Sequence, residues 1–219
     1  MRVGLFGGTF DPVHNGHLGV ARVARTYMQL DEVWFVPARR PPHRGQPGAS
    51  AAHRFAMVAM AIAGENGLRV CDVEMEAEGP SYTVETLDRV EKRFPLIERP
   101  VFFIAGADTF CEIRTWHRYA DLLDRSRFIV VSRPGQPVQS LRQALPELAP
   151  RMHDAPCIDG GTPGIFLVDA PTADVSATDA RRLLSGGDDM TGRVPASVVS
   201  HAIRHGLYRD RATSETSFE

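Results

Sequence analysis

Short apolar runs alternate along this chain with longer stretches that carry an apolar residue every three or four positions. The runs Arg2–Phe6, Glu32–Pro37, Leu68–Val73, Pro100–Ala105, Arg127–Val131 and Gly164–Val168 read as buried strands. Between them, Leu18, Val20, Ala21, Ala24 and Met28 stripe one helix. Phe55, Val58, Ala59 and Ile62 stripe a second, and Val84, Leu87, Val90 and Phe94 a third. Strands that alternate with amphipathic helices build βαβ units. The pattern therefore predicts an α/β fold: a doubly wound, Rossmann-like parallel sheet with helices on both faces and a small C-terminal helical part. In such sheets ligands sit beyond the carboxyl ends of the strands, where the strand order reverses.

Two stretches read as loops: Ala38–Ser50, rich in Pro, Gly and Arg, and Ala155–Gly164, with Pro156, Gly160, Gly161 and Pro163. A loop of the first one's size inside a compact domain is usually functional or disordered. The length of 219 residues favours one domain, assigned to residues 1–208, and the polar residues after Tyr208 predict a frayed tail at 209–219. A net charge of −2 argues against non-specific nucleic-acid binding. No apolar stretch approaches membrane-spanning length, so no membrane partner is expected. Cys71, Cys111 and Cys157 have no paired spacing, and no signal peptide precedes the first strand; a reducing cytoplasm is the expected location.

Candidate chemistry concentrates after the first strand, in Gly7-Gly8-Thr9-Phe10-Asp11-Pro12-Val13-His14-Asn15-Gly16-His17-Leu18. Two glycines suit a sharp turn and close approach of backbone to a ligand, and Asn15 suits an N-cap. A helix start there presents N–H groups and the positive end of the dipole to anions. His14 and His17, three apart, fall on one side of the first turn, and imidazoles near their usual pKa of about 6.5 donate to phosphate in either protonation state. No Gly-Lys-Ser/Thr follows the glycines and Gly-x-Gly-x-x-Gly is absent, which weighs against a P-loop and against hydride transfer.

Later segments add to this. Ser176-x-x-Asp179 has capping-box spacing ahead of Ala180–Leu184, which predicts a second helix start and anion site, with Arg181 as a permanent charge on the next turn. Gly106 and Asp108 follow the fourth strand, where Asp108 can accept from ribose hydroxyls or cap the next helix. In Pro80-Ser81-Tyr82-Thr83, Ser81 or Thr83 can cap the third helix, and a free helix start suits a carboxylate. Arg39, Arg40, His43 and Arg44 are either a solvated loop or a lid over a phosphate. Trp116 by itself reads as a partly buried core aromatic. His201 and His205, four apart, lack a third ligand in sequence and are expected to be exposed structural residues, with no protein metal site.

The Gly7–Leu18 run resembles the signature of the nucleotidyltransferase superfamily of adenylyl- and cytidylyltransferases. More narrowly, the chain to Tyr208 is similar to the bacterial nicotinate-mononucleotide adenylyltransferases. That narrower likeness is carried by Pro41-Pro42-His43-Arg44, Pro80–Thr83, Ile104-Ala105-Gly106-Ala107-Asp108, Thr115-Trp116, Ser132-Arg133-Pro134-Gly135 and Val175–Arg181. The resemblance implies that ATP and nicotinate mononucleotide give nicotinate adenine dinucleotide and pyrophosphate in NAD biosynthesis. Mg²⁺ would arrive on the ATP phosphates. It implies catalysis by His14, His17 and Arg181. ATP would be held by Gly7, Gly8, Thr9, Phe10, His14, His17, Gly106, Asp108, Arg133 (on the adenine side), Ser176, Thr178 and Arg181. Arg44, Tyr82, Thr83 and Trp116 would hold the mononucleotide. In that set the backbone at Tyr82 and Thr83 meets the nicotinate carboxylate and Trp116 stacks on the pyridine. The family usually has a larger aliphatic residue where this chain has Ala180, and often Lys where it has Arg44. Another phosphorylated acceptor, pantetheine phosphate or nicotinamide mononucleotide, is the alternative within the class. A regulatory nucleotide-binding module is the alternative outside it, and intact His14, His17 and Arg181 speak against that.

Overall fold

The structure, a computed structural model, describes residues 1–42, 45–97, 100–154 and 163–209. Seven strands form one sheet: β1 (Val3–Gly8), β2 (Glu32–Pro37), β3 (Leu68–Val70), β4 (Val101–Gly106), β5 (Ser126–Val131), β6 (Met152–Asp154) and β7 (Ile165–Val168). All pairings are parallel, in the order β3-β2-β1-β4-β5-β7-β6. The chain winds outward from β1 through β2 to β3, then returns to β4 on the other side of β1. The reversal between β1 and β4 is the crevice where such sheets bind ligands.

Helices α1 (Asn15–Tyr27), α2 (Ala51–Ala61), α3 (Thr83–Arg93), α4 (Ala107–Phe110), α5 (Tyr119–Arg125), α6 (Leu141–Ala144), α7 (Ala177–Gly186) and α8 (Ala196–Arg204) supply the connections and the C-terminal helical part. Because strand side chains alternate, adjacent residues feed opposite cores. Leu5, Trp34, Phe103 and Phe128 pack with Val84, Leu87 and Val90 of α3 and with Leu122 of α5. Their neighbours Phe6, Phe35, Ile104 and Ile129 pack with Leu18 and Ala24 of α1, Met57 of α2 and Val198 of α8. Both faces are thus covered by helices, which is why the strands read as continuous apolar runs. Among the described residues no helix is long and apolar enough to cross a membrane.

Several expectations are corrected. β1 runs on through Gly7 and Gly8, which pair with Val36 and Pro37, so the glycines end a strand rather than form the turn. β3 stops at Val70; beyond it Cys71 makes one more bond to Phe35 and the chain then turns through Asp72–Ala77. The edge strand β6 has no apolar run to announce it. On α2 the buried residues are Arg54, Met57 and Val58, while Phe55 is only half-buried. The stripe is rotated because Arg54 is drawn inward by three backbone carbonyls. Residues 155–162 of the second loop and 210–219 of the tail lie outside the described residues.

Candidate active site

The loop after β1 is shaped by its own side chains. Phe10 takes φ 51, in the left-handed region, and its ring is buried against Phe6, Phe35 and His17. A β-carbon on Gly8 would stand 2.9 Å from that ring, so a side chain there would displace it. A β-carbon on Gly7 would meet nothing within 4 Å, which leaves open backbone at the strand's carboxyl end. Since Phe10 is 2% exposed, only its backbone can serve a ligand.

His14, not Asn15, is the N-cap of α1. Asn15 instead donates its side-chain amide to the Gly192 carbonyl and its backbone N–H to Arg193, both at 2.8 Å, so one amide expected for phosphate is committed. His14 and His17 stack with centroids 3.7 Å apart, on one side of the first turn as their spacing predicts. The His14 amide donates to His17 Nδ1 at 3.3 Å, which puts the proton of a neutral His17 ring on Nε2. His14 is 2% exposed, and desolvation, with the Arg133 charge adding to it, pushes its pKa down to about 3. It is therefore neutral at pH 7, and the expectation of two imidazoles near pKa 6.5 fails at His14 because burial disfavours the cation. Its Nδ1 is buried without a hydrogen-bond partner among the described residues, the kind of atom that a ligand or water satisfies.

The start of α7 meets this loop from the far side. Ser176 caps the helix by accepting from the Asp179 N–H at 3.0 Å and donates its hydroxyl to the Asp179 carboxylate at 2.7 Å. That second bond holds the Asp179 carboxyl below its ordinary range. Arg181 donates to the Asp11 carbonyl at 2.8 Å and to Thr178 at 3.3 Å. Arg133 donates to the Val175 carbonyl at 3.1 Å. A β-carbon on Gly16 would stand 2.7 Å from the Arg133 guanidinium and 3.1 Å from the Ala173 carbonyl. Ser132 and Thr172 bind the loops after β5 and β7 together, Ser132 donating to Asp169 at 2.8 Å and Thr172 to Ser132 at 3.2 Å. The two helix starts, separated by β4 and β5 in the sheet, are thereby brought together, with His14, His17, Arg133 and Arg181 around them.

Arg54, Asp11 and Tyr208 organise this end of the sheet. Arg54, 1% exposed, donates to the carbonyls of Thr9, Arg39 and Ala49 at 2.7, 3.3 and 3.1 Å, and so clamps the loops after β1 and β2 to α2. Asp11 accepts from the Gly48 and Ala49 amides at 2.7 and 3.0 Å and from the Tyr208 hydroxyl at 2.8 Å. Its carboxylate lies 3.9 Å from Arg181. Asp11 was visible as a member of the signature; its partners were not.

The other half of the crevice is more open. Tyr82 is the N-cap of α3 without a side-chain cap bond, so neither Ser81 nor Thr83 caps it. Ser81 pairs with Arg40 instead, accepting from its amide at 3.2 Å and donating its own to its carbonyl at 2.9 Å. Tyr82 stacks on His117 at 4.3 Å, which joins the Pro80–Thr83 and Thr115-Trp116 segments. Trp116 is half-buried, edge-on to Phe128, as a core aromatic would be, with part of its surface left accessible. Asp108 lies in the first turn of α4, whose N-cap is Gly106, so it is exposed and does not cap. A cavity of about 490 Å³ opens among Arg39, Arg40, Gln46, Ser50 and Arg54. Arg39 there donates to Ala77 at 2.7 Å, while His43 and Arg44, the remainder of the expected lid, lie outside the described residues.

His201 is not the exposed residue expected: it is half-buried and shares a 3.0 Å hydrogen bond with His53 of α2, with His205 packed beside both. Desolvation first, then the neighbouring His205 and His53, lowers its pKa.

Residues 5–183 match the family described as cytidylyltransferase-like. A Pseudomonas fluorescens protein named "probable nicotinate-nucleotide adenylyltransferase" is 42% identical over 213 residues, covering 95% of this chain and 97% of its own. A Desulfitobacterium hafniense protein of the same name is 37% identical, covering 95% and 96%. In fold, the chain is similar to the Plasmodium falciparum nicotinic acid mononucleotide adenylyltransferase solved with NaAD, at a TM-score of 0.74 and 19% identity, covering 94% of this chain and 97% of that one.

Proposed function

We propose a reaction from one premise: the chain belongs to the cytidylyltransferase-like family and, within it, to the nicotinate-nucleotide adenylyltransferases. It transfers the adenylyl group of ATP to nicotinate mononucleotide, giving nicotinate adenine dinucleotide and pyrophosphate in NAD biosynthesis. One observation carries this reading at the level of the site. The loop after β1 and the start of α7 meet through Arg181 and Asp11, with the stacked His14 and His17 on the first turn of α1.

An oxygen of the mononucleotide 5′-phosphate attacks the α-phosphorus of ATP. The new P–O bond forms as the bond from that phosphorus to the bridging oxygen breaks, and its electron pair leaves on pyrophosphate. The phosphate nucleophile is already ionised at neutral pH, so no general base is required. Catalysis then rests on holding two polyanions in line and stabilising charge on the bridging and leaving oxygens. His17 supplies an Nε2–H donor, Arg181 a fixed charge with planar donors, and the open backbone at Gly7 and the α7 start supply oriented amides. Neutral His14 fixes His17 by stacking and by its backbone amide. Mg²⁺ carried on the ATP triphosphate would neutralise phosphate oxygens, leaving their orientation to the residues just named. The Asp11 carboxylate is engaged by its own loop partners. On the acceptor side, the α3 start at Tyr82 and Thr83 receives the nicotinate carboxylate and Trp116 the pyridine face. Gly106, Asp108 and Arg133 serve the adenosine.

The test is release of pyrophosphate from ATP by the full chain, with nicotinate mononucleotide and its amide counterpart as acceptors. Turnover with the acid form in clear excess over the amide is expected. Absence of pyrophosphate with both would reject the reaction, and preference for the amide would reject the acceptor.

A further inference from the structure

Beyond the signature loops, the last described turn of the chain reaches into the site. After α8 the backbone bends through Gly206 (φ 60) and Tyr208 (φ 65), both left-handed, and this turns the Tyr208 ring inward. Its hydroxyl donates to Asp11 Oδ1 at 2.8 Å. The same oxygen accepts from Ala49, whereas Oδ2 accepts from Gly48 and is the one that stands 3.9 Å from Arg181. The ring is packed as closely as its hydroxyl is bonded. A β-carbon on Gly48 would stand 3.1 Å from the Tyr208 ring and 3.6 Å from the Arg181 side chain, so Gly48 separates the two at contact distance.

We propose that Tyr208 is a positioning residue for adenylyl transfer: it fixes the Asp11 carboxylate and, through Asp11, sets where Arg181 holds its guanidinium. This rests on the reaction proposed above. The two backbone amides tie Asp11 to residues 48–49; Tyr208 adds a donor from a third part of the chain. Burial, followed by the Asp11 charge, raises the phenol pKa, so the group stays a donor throughout the working pH range. Gly48 lies between the ring and the Arg181 stem, so a shift of the ring reaches that stem through the Gly48 backbone.

The experiment is a double-mutant cycle of Tyr208→Phe and Arg181→Ala in the full chain. It reads kcat, KM for each substrate, and Kd for α,β-methylene-ATP. Tyr208→Phe keeps the ring and removes one hydrogen bond to a charged acceptor. It is expected to lower kcat/KM for ATP about tenfold, leave KM for the mononucleotide within about twofold, and weaken the ATP analogue in parallel. In the Arg181→Ala background the same change should do almost nothing, because the group it positions is gone. Tyr208→4-aminophenylalanine, which returns a donor to the same place, should restore most of the loss. An equal loss in both backgrounds, or none in either, overturns the proposal, as does a loss that follows only the melting temperature. If Tyr208→Phe does not fold, the 4-aminophenylalanine variant decides: wild-type ATP-analogue binding supports the tether and a tenfold loss rejects it. If the wild-type chain itself releases no pyrophosphate, the reaction reading fails by itself, and analogue binding still decides the tether.

Discussion

On the triphosphate side, each functional group is already held by another part of the protein. Arg181 is bonded to Asp11 and Thr178, Arg133 to Val175, and His17 by the His14 amide and ring. On the acceptor side, Tyr82 leans on His117, and Trp116 keeps one part in the core and another accessible. Groups fixed before ligands arrive cost no reorganisation during reaction, so they act on the chemical step. Groups that mostly receive a planar ring contribute to affinity, equally in ground and transition states. The two halves should therefore separate when kcat and KM are measured apart.

The largest expected effect is at His17. His17→Ala should lower kcat by about 10²–10³ while moving Kd for an ATP analogue by no more than about threefold. Single-turnover and equilibrium binding measurements check this, and an unchanged kcat would remove His17 from the chemical step. Next, Arg181→Ala should reduce kcat/KM for ATP by roughly ten- to a hundredfold. Arg181→Lys should recover little, since an ammonium cannot reproduce two donors directed at once to Asp11 and Thr178. On the opposite side, Trp116→Ala should raise KM for the mononucleotide about tenfold with kcat held, and Trp116→Phe should restore part of it. A fall in kcat at Trp116 comparable to that at His17 would break the comparison.

The remaining effect concerns stability rather than turnover. With its folded pKa pushed down to about 3, His14 resists protonation in the native state while the unfolded chain takes up a proton near 6.5. The stabilisation is whole above pH 6.5 and is lost as pH falls toward 3, at up to about 1.4 kcal/mol per pH unit. Denaturant unfolding of wild type and His14→Asn between pH 7.5 and 4.5 should show this slope flattened in the variant. Parallel slopes would mean that His14 is not held neutral by the fold.

What could be read from the chain beforehand follows from how local each feature is. His14 and His17 are three residues apart, and Ser176 lies three before Asp179. A single helical turn brings each pair together, so spacing alone placed them. The alternating cores were equally open to reading, because Leu5–Phe6 and Trp34–Phe35 are adjacent residues in strands whose two faces are both covered. Arg54 escaped notice because a charged residue within an apolar stripe looks like its polar face. Only the carbonyls of Thr9, Arg39 and Ala49, contributed by three segments, explain its burial. The neutrality of His14 is likewise a property of what covers it, and the cap at Asn15 failed because Gly192 and Arg193 claim that residue from the far end of the chain. β6 is three residues long and Met-His-Asp carries no pattern at all.

Asp11 and Tyr208 meet across 197 positions, and that separation bears on how the protein is made. During synthesis the first strand and its glycines emerge well before the residue that completes their surroundings. A chain stalled within α8 would hold the sheet and still lack the phenol beside the signature aspartate. Partial products should accordingly form a recognisable core yet handle nucleotide poorly, so that competence arrives once Tyr208 has been added rather than gradually along the chain.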